Sequence, residues 1–284
     1  MRWTSFLMVF LIQSTFAYFS KSFSGFLLKN YGQPSLRVLT RPDFGKQGST
    51  GGDMRSNSTA LSVTTARRPV IIVHGVTNSI GTFNFVKEHL SKNNYTDDEI
   101  YGTTYGDGWK KLLVFVKIEC QYIKQVRALI VAVHEFTGKK VDILAYSMGS
   151  PVARKAILGG DCKGEFVGMP LTDVVENFIG IAGANYGSYL CFVPIAICNA
   201  EDGLYCKSRL LNELNTQTRK YEGKHSYAIF SKDDNKVGYD CCGTNCSSIP
   251  HSDAEFVFSK GWDHDAVMRE TLGLQTELLL KDQE

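Results

Sequence analysis

Lys140-Val-Asp-Ile-Leu-Ala-Tyr-Ser-Met-Gly149 decides how this chain is read. Residues 140–146 read as a strand, with Val141, Ile143, Leu144 and Ala145 apolar, and a helical pattern begins after Gly149. Ser147 therefore falls at a strand-to-helix corner, where the backbone is strained and a serine hydroxyl is pushed above a sheet. The residues two before and two after such a serine must be small, because strand and helix pass close together there. Ala145 and Gly149 meet that demand.

The same alternation extends in both directions. Val70-Ile-Ile-Val73 is a β-branched run ending at His74-Gly75, which predicts a buried parallel strand. A helix is expected from Thr82 to about Asn93, with Phe83, Val86 and Leu90 on one face, and a strand at Ile100–Thr104. A long helical pattern covers Lys111 to Phe136 and stops at Gly138. Strands follow at Asn177–Ala182 and Ser226–Phe230, with a short apolar run at Phe256-Val-Phe258 and a closing helix from Asp265 to about Lys281. Strands alternating with helices predict an α/β fold with a mostly parallel sheet covered on both faces. Residues 18–67 read differently: rich in Ser, Thr, Gly and basic residues, without sustained periodicity, they predict a weakly structured or propeptide-like segment ahead of a domain spanning 68–284.

The composition fits one generous globular domain or two small ones, and the motifs favour one. Of 284 residues, 43% are hydrophobic and 21% charged, and the net charge is +2, which excludes general disorder. Thirty-one basic residues nearly match 29 acidic ones, so a broad electrostatic grip on nucleic acid is not expected. No apolar stretch approaches the roughly 18–20 residues of a membrane-spanning helix.

Arg2, the apolar run Phe6–Ile12 and the small residues Thr15 and Ala17 have the layout of a secretory signal peptide cut after Ala17, which predicts a secreted protein. Removing residues 1–17 takes away Arg2 alone and leaves a charge of +1. All eight cysteines then reach an oxidising compartment and are expected in disulfides, five of them (191, 198, 206, 241 and 242) in loops bordering the site. Cys241-Cys242-x3-Cys246 lacks zinc-ligand spacing, so no metal is expected. Sequons at Asn57, Asn94 and Asn245 fit the same secretory route.

A serine hydroxyl needs a base, and the base an orienting carboxylate. Beyond Ser147 lie His225, His251 and His264. His225 precedes a strand, at the wrong end of a sheet, and His251 sits in a Cys- and Ser-rich loop. His264, between the Phe256–Phe258 run and the final helix, is the expected base. The strand ending at Phe230 leads to Asp233 and Asp234; Asp234 is the expected acid, with Asp233 as alternative, while Asp240, Asp263 and Asp265 read as solvated loop or helix-start residues. Two N–H donors for a developing oxyanion are expected from Met148, after the serine, and Val76, after His74-Gly75.

Val73-His-Gly-Val76, Phe83-Asn84-Phe85, Ala145-Tyr-Ser-Met-Gly149, Ile229-Phe-Ser-x-x-Asp234 and Asp263-His264 together resemble the class 2 lipases, α/β-hydrolases that include small bacterial enzymes and secreted nematode ones. The resemblance spans roughly residues 68–284. It favours Asp234 over Asp233, and alanine at the first elbow position is usual in that family. It implies hydrolysis of carboxylic esters of acyl lipids through an acyl-enzyme, without a cofactor. Tyr146 departs from the histidine often found there in bacterial members, and residues 186–208 form a cysteine-bearing insertion that the minimal enzymes lack.

Tyr105, Trp109 and the 186–206 segment, Phe192 included, offer apolar surface for an acyl groove or a transient contact with a lipid interface; equally, they read as disulfide-pinned packing. Competing readings are a thioesterase or acyltransferase on the same fold, and a secreted binding protein without catalysis.

Overall fold

The computed structural model describes residues 19–53, 56–281 and 283, so the expected signal peptide at 1–17 lies outside the described residues. Seven strands form the central sheet: β1 (Ser49–Thr50), β2 (Val70–Val73), β3 (Ile100–Thr103), β4 (Val141–Tyr146), β5 (Val175–Ile181), β6 (His225–Ser231) and β7 (Ala254–Phe258). Their spatial order is β1-β3-β2-β4-β5-β6-β7. Every neighbouring pair is parallel except β1 with β3.

Parallel strands joined by helical crossovers are buried on both faces, and alternate residues of β2 and β4 divide accordingly. Ile71, Val73, Ile143 and Ala145 join a core with α1 (Lys21–Thr40), α3 (Cys120–Thr137), α4 (Gly149–Leu158) and α5 (Arg209–Asn215). Val70, Ile72, Leu144 and Tyr146 face α2 (Asn84–Lys92), α6 (His264–Glu270) and α7 (Leu272–Leu280). The parallel strands all point their carboxyl ends to one edge, where loops converge and ligand sites form.

The segment before residue 68 is not uniformly loop-like. Ser20 caps α1 by accepting the Phe23 N–H, and Phe23, Phe26 and Leu27 are buried. Phe23 packs against Tyr101 and Phe136 with ring centroids 5.1 and 5.0 Å apart. Gly32 (φ 78°) and Pro34 kink the helix, and that interruption hides its period in the sequence. Ser49 and Thr50 then pair with β3, so this segment joins the same core. Residues 56–67 carry no helix or strand.

Two helix boundaries also differ from expectation. The pattern from Lys111 becomes helical only at Cys120; before it, Leu112, Val114 and Phe115 sit in exposed turns. The closing helix is broken at Thr271 into α6 and α7. The eight cysteines form four disulfides: Cys120–Cys162, Cys191–Cys198, Cys206–Cys242 and Cys241–Cys246. Among the described residues no helix is long and apolar enough to cross a membrane.

Candidate active site

Four loops leaving the carboxyl ends of β2, β4, β6 and β7 supply the site. At the first, His74 is buried and its Nδ1–H donates to the Gly75 carbonyl at 2.8 Å. Its Nε2 accepts the Tyr105 N–H at 3.1 Å, and the Tyr105 hydroxyl donates to the His74 carbonyl at 2.8 Å. The two rings stack 4.2 Å apart. Burial holds the His74 pKa down at about 4, so the ring stays neutral near pH 7. His74 and Tyr105 thus fix the path of Gly75-Val76, and Tyr105 is a buried support rather than a groove residue.

At the second loop Ser147 has φ 56°, in the left-handed region that a non-glycine residue occupies only under constraint. The constraint is visible. The Ser147 N–H donates to the Ile181 carbonyl at 3.0 Å, and the Ser147 carbonyl accepts from Ser150 and Ala184 at 3.0 and 3.2 Å. A Cβ at Gly149 would fall 2.4 Å from the His74 carbonyl oxygen and 2.6 Å from that of Val73. The corner therefore needs a glycine there because α4 leaves directly over the end of β2. The Val76 and Met148 N–H groups donate to no protein group among the described residues.

The third and fourth loops meet. His264 Nδ1 donates to Asp234 Oδ2 at 2.7 Å, with both side chains buried. Asp234 Oδ1 accepts the N–H groups of Lys236 (2.9 Å) and Val237 (2.8 Å), so this carboxylate is fixed before it receives the histidine. The two aspartates differ in surroundings: Asp233 is exposed, and its Oδ2 accepts the Gly261 N–H at 2.9 Å rather than a bond from His264. The His264 N–H in turn donates to Asn235 Oδ1 at 3.3 Å. His225 starts β6 at the opposite end of the sheet, and His251 is exposed, bonded to the Gln217 carbonyl.

Ser147 and His264 line one cavity of about 270 Å³. Leu113, Leu190, Ile195, Ile197, Leu204 and Val237 make its apolar wall; Thr77, Asn78, Tyr146 and Lys236 make its polar side. The insertion thus contributes through Leu190, Ile195, Ile197 and Leu204. Phe192 does not line the cavity: it is 68% exposed and packs on Tyr189. Trp109 likewise stands outside it, edge-on to Phe44 at 5.9 Å. Leu113, missed in the sequence, was concealed by the helical reading of 111–119. Of the cysteines, Cys198 reaches the cavity wall. Among the described residues no three His, Cys, Asp or Glu side chains cluster to hold a metal ion.

The model of the class 2 lipase family matches residues 67–277. The chain belongs to the class 2 lipases. No curated protein matches its sequence. Solved structures similar to it include Aspergillus fumigatus lipase B, at 15% identity and TM-score 0.57, with 77% of this chain and 53% of that one covered. The chain thus spans about half the length of that lipase. The mature form of Bacillus licheniformis lipase BlEst2 is similar at 14% identity and TM-score 0.56, with 81% and 96% covered. Its propeptide form gives 15%, 0.55, 81% and 52%. At these identities the likeness is one of fold. As a class 2 lipase the chain has the α/β-hydrolase fold.

Proposed function

We propose that this class 2 lipase is a secreted serine hydrolase that cleaves carboxylic esters of acyl lipids, with Ser147, His264 and Asp234 as its triad. The observation that carries the reading is the buried His264–Asp234 bond on the same cavity as the strained Ser147. In this mechanism Ser147 Oγ attacks the ester carbonyl carbon and its proton passes to His264 Nε2. Asp234 keeps the Nδ1–H tautomer in place and stabilises the imidazolium. The Val76 and Met148 N–H groups receive the oxyanion, helped by the position of Met148 at the amino end of α4. The intermediate expels the alcohol, which takes the proton from His264. Water activated by His264 then attacks the acyl-enzyme, releasing the acid and freeing Ser147.

An acyl lipid fits better than a water-soluble ester because the apolar wall opens onto an apolar rim. Leu112, Val114 and Phe115 on one side, and Tyr189, Phe192 and Val193 on the other, are all exposed. The Ala196 N–H donates to the Val114 carbonyl at 3.2 Å, joining the two sides. Apolar patches of this kind around a cavity mark contact with a lipid surface or a partner. Phe192 therefore enters as a rim residue, and a transient lipid contact delivers substrate.

Secretion is supported by the leader-like residues 1–17 and the four disulfides. Asn57 and Asn94 are the exposed sequons and the expected glycan sites, whereas Asn245 is half-buried beside the Cys241–Cys246 bridge. The catalytic unit is residues 68–284, with the preceding helix packed against it.

The test is hydrolysis of tributyrin, a short soluble ester and an acyl thioester by wild type and Ser147→Ala. Ester turnover should exceed thioester turnover and fall about 10⁶-fold in the variant. Preference for the thioester would instead support a thioesterase. Inert wild-type protein would support a binding role.

A further inference from the structure

Tyr146, the residue before the nucleophile, commits its side chain to the histidine loop. Its hydroxyl donates to Asp265 Oδ1 at 2.7 Å and lies 3.3 Å from the His264 carbonyl oxygen. Its ring meets the imidazole of His264 with centroids 4.9 Å apart, and Phe83 holds it from behind, edge-on at 5.6 Å. The other oxygen of Asp265 takes Lys236 Nζ at 2.8 Å. Lys236 also donates its backbone N–H to Asp234, so it belongs to the acid loop. One carboxylate on the histidine segment therefore ties together the end of β4 and the acid loop after β6.

Such a tie meets a mechanical need. His264 is the first residue of a helix of only seven residues, and covalent connection fixes its loop to β7 alone. A small rotation of that helix start would carry Nε2 away from Ser147, and misplacement by about 1 Å costs on the order of 100-fold in rate. The Asp234 bond restrains the imidazole at Nδ1. The Asp265 contacts restrain the backbone that bears it.

We infer that Asp265 is a positioning residue for His264, with Tyr146 and Lys236 as its two arms. Its carboxylate clamps the start of α6 to the elbow and the acid loop, and its charge beside the imidazole favours the imidazolium formed during attack. The inference rests on the triad reading. It departs from the sequence-based view of Asp265 as a solvated helix-start residue.

The charged and titratable groups around His264 are Asp234 and Lys236 from the acid loop, Asp263 and Asp265 from its own loop, and Tyr146 from the elbow. Partial burial raises the Asp265 carboxyl, but the bonds from Lys236 and Tyr146 outweigh it and hold the group below its ordinary pKa, charged at neutral pH.

The experiment compares Asp265→Asn, Asp265→Glu and Tyr146→Phe in the full chain. Soluble short-ester hydrolysis is measured from pH 5 to 9, with rates expressed per active site titrated by a fluorophosphonate. Asp265→Asn should lower kcat about tenfold, a larger change than in KM even though Asp265 also borders the cavity, because its main contacts are to Tyr146 and Lys236. Loss of the negative charge should also move the lower limb of the kcat–pH profile down by about half a unit. Tyr146→Phe keeps the charge and should lower kcat without moving the limb. Asp265→Glu should recover most of kcat. An unchanged kcat and midpoint in Asp265→Asn, or a loss that vanishes per titrated site, overturns the inference. If Ser147→Ala is inactive while Asp265→Asn behaves as wild type, the positioning role alone falls; if Ser147→Ala stays active, the triad reading falls.

Discussion

His264 Nδ1 and Asp234 Oδ2 lie 2.7 Å apart, with 3% and 1% of their side chains exposed, while Asp233, one residue earlier, turns outward to the Gly261 N–H. Two adjacent carboxylates thus have unequal expected roles. Asp234→Asn should lower kcat about 10⁴-fold, because the amide no longer enforces the productive histidine tautomer. Asp233→Asn should stay within about threefold of wild type, since it disturbs only an exposed loop contact. Steady-state ester hydrolysis by the two variants checks the contrast.

Gly149 makes the elbow a packing test. Ala at this position would press a methyl group into the carbonyl oxygens of His74 and Val73, 2.4 and 2.6 Å from the new Cβ. Backbone atoms cannot step aside as a flexible side chain would. Gly149→Ala should therefore destabilise the fold by about 1–3 kcal/mol, read as a lower urea midpoint at constant slope.

The apolar rim separates surface contact from chemistry. Leu112 is 71% and Phe115 is 61% exposed, so replacing both with Asp removes little core packing. The double variant should lose about tenfold in hydrolysis of emulsified triglyceride, because each Asp opposes insertion of the rim into a lipid surface. A dissolved short ester should be cleaved within about twofold of the wild-type rate, as exposed substitutions rarely disturb a fold. Parallel assays on the two substrates measure the difference.

His74 links stability to pH. Its pKa in the folded protein, about 4, lies below that of an exposed histidine near 6.5. Between those values the unfolded chain binds a proton that the folded chain refuses, so this contribution is complete above about pH 6.5 and is lost as pH falls toward 4. The shift corresponds to about 3 kcal/mol. Buried Asp142, raised to about 6 chiefly by burial, acts in the opposite sense, so wild-type stability alone hides the effect. The stability difference between wild type and His74→Gln should shrink by about that amount from pH 7 to 4, measured by urea unfolding at both pH values.

Much of this architecture was legible in the chain because its signals are local. Val70–Val73, Lys140–Tyr146 and the corner at Ser147 carry their reading within a few residues, and the sheet places them side by side. The proposed partners of Ser147, His264 and Asp234, rest in the sequence on chain order and loop position, with the family resemblance favouring Asp234 over Asp233; that His264 meets Asp234 is seen only in the folded chain. The rest depends on tertiary packing. Phe23, Phe26 and Leu27 share a helical stripe after the Ser20 cap, but Gly25, Gly32 and Pro34 interrupt the pattern that would reveal it. Leu112 and Phe115 imitate a helical face three residues apart, yet they stand in solvent. Tyr105 looked like groove lining because an aromatic residue after a strand fits either role; its bonds to His74 decide for the interior. Asp265 gains its tying role from contacts with residues 119 and 29 positions away, which no local pattern encodes.

The central claim is that Ser147 is the nucleophile. Fluorophosphonate labelling of the folded chain, followed by peptide mapping, tests it directly. One adduct on Ser147, appearing in step with loss of ester hydrolysis and absent from His264→Ala, is the expected result. Full loss of hydrolysis with the adduct on another residue, or continued hydrolysis with Ser147 fully modified, would contradict the account.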